Sequence, residues 1–216
     1  MTLAILLAAL IASPQTPPIF QPGAPGAASR VITAGESVAL SRSGFTPADV
    51  RFMQHMIVHH AQAVEMVALM PERVSSDRVR RLGERIAASQ EAEIELMRDW
   101  LLSREQPLTA PDLHAGHHGH AGHDAMAVMP GMLSPAQMQA LAAATGPAFD
   151  RLFLEGMIQH HQGALDMVTE LNAEPTSAED PLLSDFAASV VADQSAEILR
   201  MQSILSASDP ISEERP

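Results

Sequence analysis

The sequence predicts an all-α protein: a four-helix bundle built from two duplicated helical hairpins. Three observations predict it. The stretch Phe52-Met53-Gln54-His55-Met56-Ile57-Val58-His59-His60 returns as Phe153-Leu154-Glu155-Gly156-Met157-Ile158-Gln159-His160-His161. At an offset of 101 the copies share Asp49/Asp150, Phe52/Phe153, Met56/Met157, Ile57/Ile158, His59/His160, His60/His161, Ala63/Ala164 and Met66/Met167. A second string, Gln90-x-x-Glu93-Ile94-x-x-Met97, returns at an offset of 104 as Gln194-x-x-Glu197-Ile198-x-x-Met201, so the repeated unit is a whole hairpin. Composition agrees: 46% of the 216 residues are apolar and only 3% aromatic, a balance that favours packed helices over a β-sandwich. Two hairpins with apolar seams bury those seams best against each other.

Taken in order, Met1 to Ala12 is apolar and uncharged, too short to span a bilayer, which needs ~20 residues. It resembles the core of a secretory signal, although a basic start is missing. Residues 13–44 read as a tether plus a segment of unassigned structure. Pro14, Pro17, Pro18, Pro22, Gly23, Pro25 and Gly26 leave the first part without a core. The bundle is expected over residues 45–206, with a first hairpin at 46–104, a His-rich loop at 107–133, a second hairpin at 134–206 and a tail from 207 to 216.

Thr46-Pro47 starts the first long helix, with Thr46 as N-cap and Asp49 near the positive end of the dipole. Phe52, Met56, His59, Ala63 and Met66 form one helical seam, and Pro71 ends the helix. Ser76-Asp77 starts the second, which turns Val79, Leu82, Ile86, Gln90, Glu93 or Ile94, Met97 and Leu101 inward. Its Arg78, Arg81, Glu84, Arg85, Glu91, Glu95 and Arg98 read as a solvated face. Ser134-Pro135 opens a short helix, Thr145-Gly146-Pro147 the third long one, and Asp180-Pro181 the fourth.

Charge and composition exclude several functions. The chain carries 13 basic and 26 acidic side chains, a net −13, which suits neither nucleic acid nor an anionic membrane. It contains no cysteine, so disulfides and thiolate metal sites are absent and any soft ligand is methionine sulfur. No nucleophile elbow, phosphate loop or dinucleotide fingerprint occurs.

The chemistry lies in the paired histidines. A helix turns about 100° per residue, so one of His59 and His60 can face the bundle centre while the other faces a neighbouring helix. Met56 lies about one turn earlier, and Met53 and Met66 extend that side. Imidazole with thioether suits a soft ion, above all Cu(I), and tolerates Cu(II) or Ag(I). Zinc is the weaker alternative, since methionine adds little to a zinc site. A methionine stripe at helical spacing is normally core filler, the preferred reading of Met66, Met97, Met167 and Met201, but four buried imidazoles without partners are costly. Gln90, Glu93, Gln194 and Glu197 are candidates to orient the imidazole N–H groups. A di-iron site would need Glu three residues before His. Met56, Ile57, Met157 and Ile158 hold those places, which argues against oxygen-activating di-iron chemistry. His114, His117, His118, His120 and His123, spaced by glycines, form a candidate weak metal-binding loop.

The doubled Phe-Met/Leu-x-x-Met-Ile-x-His-His, followed each time by Gln-x-x-Glu-Ile-x-x-Met, resembles the uncharacterised bacterial DUF family that includes the copper-binding protein CopM. The resemblance covers residues 46–205. It implies a ferritin-like four-helix bundle, a periplasmic or secreted location, and copper, as Cu(I) or Cu(II), bound by methionine and histidine. By position it implicates Met53, Met56, His59, His60 and Met66, then Met157, His160, His161 and Met167. Leu154 stands where the first copy has Met53, so the halves need not bind equally. The expected function is copper sequestration or transfer without turnover. The expected partners are metal ions and other copper-handling proteins, with no nucleic acid and no stable membrane insertion after processing. The rival readings are a metal-dependent oxidase on the same bundle and a structural or interaction module whose histidines only pack.

Overall fold

Helix dominates the computed structural model, which describes residues 18–21, 28–41, 44–110 and 129–208. In chain order the elements are β1 (Ile19–Gln21), β2 (Arg30–Ile32), α1 (Ala34–Ser41), α2 (Pro47–Ala68), α3 (Asp77–Ser103), α4 (Pro135–Ala143), α5 (Gly146–Ala173) and α6 (Pro181–Ser208). They fall into two units, Met1–Ser43 and Gly44–Pro216. The apolar start at 1–12, His114 to His123 and the tail from 209 lie outside the described residues.

In the first unit β1 pairs antiparallel with β2, Ile19 opposite Ile32 and Phe20 opposite Val31. These β-branched and aromatic residues suit a pleated pair. Thr33 caps α1: its backbone N–H donates to Glu36 Oε2 at 2.8 Å, and Glu36 N–H donates to Thr33 Oγ1 at 3.1 Å. No pattern in the sequence assigns Val31 to Gly44 a structure. Strands of three residues are too short to show an alternating pattern, but Thr33-x-x-Glu36 is a capping-box signal.

In the second unit the helix starts follow their N-cap chemistry. Thr46 and Asp49 exchange hydrogen bonds at 3.1 and 2.8 Å at the head of α2, followed by Pro47. Ser76 caps α3, and Ser134 with Gln137 caps α4. Asp180 accepts from the backbone of Leu182 and Leu183 at the head of α6. Trp100 Nε1 and Arg104 also donate to Asp180, and the Arg104 guanidinium lies 4.3 Å from the Trp100 ring centre.

The four long helices form two hairpins, α2 with α3 and α5 with α6, and the hairpins meet along α2 and α5. Two buried aspartates lock the arrangement. Asp49 Oδ1 accepts from Ala178 N–H, in the α5–α6 turn, at 2.8 Å. Asp150, its counterpart, accepts from Ser75 N–H, Ser75 Oγ and Ser76 N–H at 3.0, 2.6 and 2.8 Å in the α2–α3 turn. Each hairpin therefore begins at the turn of the other, and α2 runs antiparallel to α5.

This arrangement divides the interior into three layers. One apolar layer takes Phe52 and Met56 of α2, Met97 and Trp100 of α3, Met167 of α5 and Phe186 of α6. The other takes Met66 of α2, Leu82 of α3, Phe153 and Met157 of α5 and Met201 of α6. Each long helix contributes to both layers, and between its two contributions it carries a buried polar position: His59 and His60, Gln90, His160 and His161, or Gln194.

Candidate metal centre

All four predicted histidines are fully buried. His59 and His160 meet across α2 and α5, their ring centres 3.9 Å apart and their planes inclined at 39°. His60 and His161 turn instead to the second helix of their own hairpins. His60 Nε2 donates to Glu93 Oε2 at 2.6 Å, and His161 Nε2 to Glu197 Oε2 at 2.7 Å. Ile94 rather than Glu93 fills the buried position on α3, which leaves Glu93 partly exposed with its carboxylate against His60.

The inner rings use backbone acceptors. His160 Nε2 donates to the carbonyl of His59 at 2.8 Å. His59 Nε2 donates to the carbonyl of Pro130 at 2.9 Å. Here the duplication breaks. Gly163 in α5 stands where α2 has Gln62, and the bare glycine lets Pro130 and Gly131 lie directly on the helix. Gly131 takes φ +73°, a conformation glycine adopts without strain. Gln62 grips Leu133, two residues beyond Gly131, from the α2 side, donating to Leu133 O at 2.9 Å and accepting from Leu133 N–H at 2.7 Å.

Two consequences follow for the site's electrostatics. Burial pushes His59 down to about 4, with the Pro130 hydrogen bond opposing it and His60 and His161 adding to it. Burial, with His59 and His161 beside it, likewise drives His160 well below the ordinary histidine value. Both rings are therefore neutral at physiological pH and carry a lone pair. Among the described residues, Nδ1 of His59, His60, His160 and His161 meets no hydrogen-bond partner, nor do the side-chain amides of Gln90 and Gln194. Six buried polar side chains with unmet capacity in one layer are rare in a folded core and suit a ligand that supplies the missing bonds.

Sulfur flanks this layer on both sides. Met56 and Met97 of the first hairpin share an apolar layer with Met167 of the second; Met157 and Met201 of the second share the other with Met66 of the first. All six are buried. Met53 and Met129 also lie in the first layer and Met70 in the second, where Leu154 fills the place corresponding to Met53. Met97 and Met201, read as filler, complete the two sets, and the repeated Gln-x-x-Glu-Ile-x-x-Met string was their signal. Among the described residues no three His, Asp or Glu side chains gather closely enough to hold a metal ion by themselves. A donor set here would pair imidazole with thioether, a combination that fits a soft ion such as Cu(I) and not a zinc site. A cavity of about 170 Å³, open to the surface, is lined by Phe52, His55, Met129, Pro130 and Met167.

The model of the domain of unknown function DUF305 matches residues 49–205. The chain belongs to the DUF305 family. This DUF305 protein is 34% identical to the crystal structure of a DUF305 fragment from Deinococcus radiodurans, covering 76% of this chain and 98% of that one with a TM-score of 0.61. A DUF305 protein from Streptomyces coelicolor, assumed to be secreted, is 31% identical, covering 74% and 93%, at a TM-score of 0.61. CopM in its Cu(I)-bound form is 26% identical, covering 76% and 98%, at a TM-score of 0.56; CopM has also been solved with Cu(II) and with Ag. Among curated proteins none matches the chain. No helix among the described residues of this DUF305 protein is long and apolar enough to cross a membrane.

Proposed function

We propose that this protein is an extracytoplasmic copper-binding protein that sequesters the ion or hands it on through methionine and histidine, without turnover. The observation that carries the reading is the buried histidine layer: four imidazoles whose Nδ1 atoms have no partner among the described residues, with buried methionines in the apolar layer on either side. Its ligands would come from Met53, Met56, His59, His60, Met66, Met157, His160, His161 and Met167, joined by Met97 and Met201. Glu93 and Glu197 would hold the outer rings. The four long helices fit a ferritin-like four-helix bundle, here closed by the Asp49 and Asp150 contacts. Similarity to CopM, crystallised with Cu(I), Cu(II) and Ag, supports copper as the cargo. Similarity to a relative assumed to be secreted supports a periplasmic or secreted location.

Thioether ligands favour Cu(I) and exchange readily, which suits delivery to other copper-handling proteins. The segment His114 to His123 would add weak, unspecific capacity for Cu(II). Isothermal titration with Cu(I) and Cu(II) tests the reading on the whole protein and on a His59→Ala, His160→Ala double variant. Tight binding lost in the variant is expected. Equal binding by both proteins overturns the proposal for the helical core.

A further inference from the structure

We infer that the histidine layer presents copper with Nδ1, and not Nε2, of all four rings, because the fold has already committed each Nε2 as a hydrogen-bond donor. The inference deepens the copper reading and rests on it.

Each Nε2 faces an oxygen that only accepts. For His59 it is the carbonyl of Pro130, for His160 the carbonyl of His59, for His60 the carboxylate of Glu93, for His161 the carboxylate of Glu197. The proton of a neutral ring must then sit on Nε2, which leaves the lone pair on Nδ1. A ring turned over about its own axis would place a carbon at these distances of 2.6 to 2.9 Å, so the nitrogen positions are fixed. A doubly protonated ring would bury an Nδ1–H with no acceptor.

Two kinds of positioning group result. The outer rings depend on the side chains of Glu93 and Glu197, and a substitution can release them. The inner rings depend on main-chain carbonyls, which no substitution at the acceptor removes. Nδ1 is the ring nitrogen nearer the backbone, so a metal bound there lies close to the helices that carry the histidines. Met56 and Met157 stand one turn before His60 and His161 on those helices, and both are buried.

The test uses long-range proton–nitrogen correlation spectra of the full chain labelled at histidine, first metal-free and then with Ag(I), a diamagnetic soft ion. The expected result is Nε2–H on all four buried rings, with Ag(I) shifting the Nδ1 signals while the Nε2 protons remain. Glu93→Gln keeps an accepting oxygen and should keep both the tautomer and the affinity. Glu93→Leu should free His60 to take the Nδ1–H form and weaken binding about tenfold or more. Nδ1–H on any of the four rings in the metal-free protein overturns the inference, whatever the protein binds. Loss of the Nε2 protons on adding Ag(I) overturns it as well. Rings in the stated tautomer that ignore Ag(I) and Cu(I) overturn the copper reading beneath it. Equal weakening by Gln and Leu overturns the positioning role of Glu93.

Discussion

Gly163 leaves the space that the carbonyl of Pro130 occupies: a Cβ at position 163 would lie 1.9 Å from that oxygen. The carbonyl so placed is the acceptor for His59 Nε2. Gly163→Ala must therefore push the Pro130–Gly131 segment off α5 and break that hydrogen bond. The expected loss is about 2–3 kcal/mol in denaturant unfolding, together with a changed His59 signal in nitrogen NMR. A variant as stable as the parent, with an unchanged His59, would show that the close approach does not exist in solution.

The Asp150 carboxylate closes the other end of the hairpin pair. Asp150→Ala removes the acceptor for Ser75 N–H, Ser75 Oγ and Ser76 N–H together. The main-chain donors are left unmet at the head of α3, and a loss of about 3 kcal/mol is expected. Asp49→Ala should cost somewhat less, since outside its own capping box it holds only Ala178. Equilibrium unfolding of both variants gives the comparison. The reverse order of stabilities would contradict the assignment.

Replacing Met56 or Met157 with leucine separates packing from ligation. Leucine matches the volume, so stability should fall by less than about 1.5 kcal/mol. Loss of a sulfur ligand should weaken Cu(I) binding about tenfold, near 1.4 kcal/mol, and Cu(II) binding less. Competition titration with a Cu(I) chelator measures the change. Unchanged Cu(I) affinity in the double variant would return both methionines to simple core filling.

Acid should destabilise the metal-free protein in two steps. His59 falls from 6.5 to about 4 on folding, so the unfolded chain binds more protons between those values. Stability is full above about pH 6.5 and drains away as pH falls to about 4, on the order of 3 kcal/mol for this ring. His160 moves in the same direction for the same reason, burial. Burial alone would raise Asp180, but hydrogen bonds from Arg104, Trp100 and Leu183 outweigh it and hold the carboxyl below its ordinary 3.8. Its contribution therefore goes last, as pH drops through that range. Unfolding free energies measured across the interval should decline throughout; a flat profile between about pH 7 and pH 4 would contradict the burial of His59 and His160.

The local chemistry of the helices was legible in the chain. Thr46-Pro47, Ser76, Ser134-Pro135 and Asp180-Pro181 each stand at the start of a helix, because N-cap preferences act over three or four residues and need no tertiary information. The duplication likewise announced two hairpins. Their relative direction was not legible, since a repeat says what is copied and not how copies meet. Only with α2 antiparallel to α5 does Met167 join Met56 and Met97, and Met66 join Met157 and Met201. The choice between Glu93 and Ile94 also waited for the structure, because adjacent helix positions differ by one small rotation. The Pro130 carbonyl had no signature at all: a backbone oxygen looks the same in every residue.

Of the duplicated methionines, each apolar layer takes two from one hairpin and one from the other. A polypeptide with a single copy could complete neither set alone, but two such molecules packed antiparallel about a two-fold axis would complete both at once. The duplicated chain thus holds, inside one molecule, the approximate two-fold symmetry of an isologous pair. It also frees each half to change separately, as Leu154 opposite Met53 and Gly163 opposite Gln62 already record.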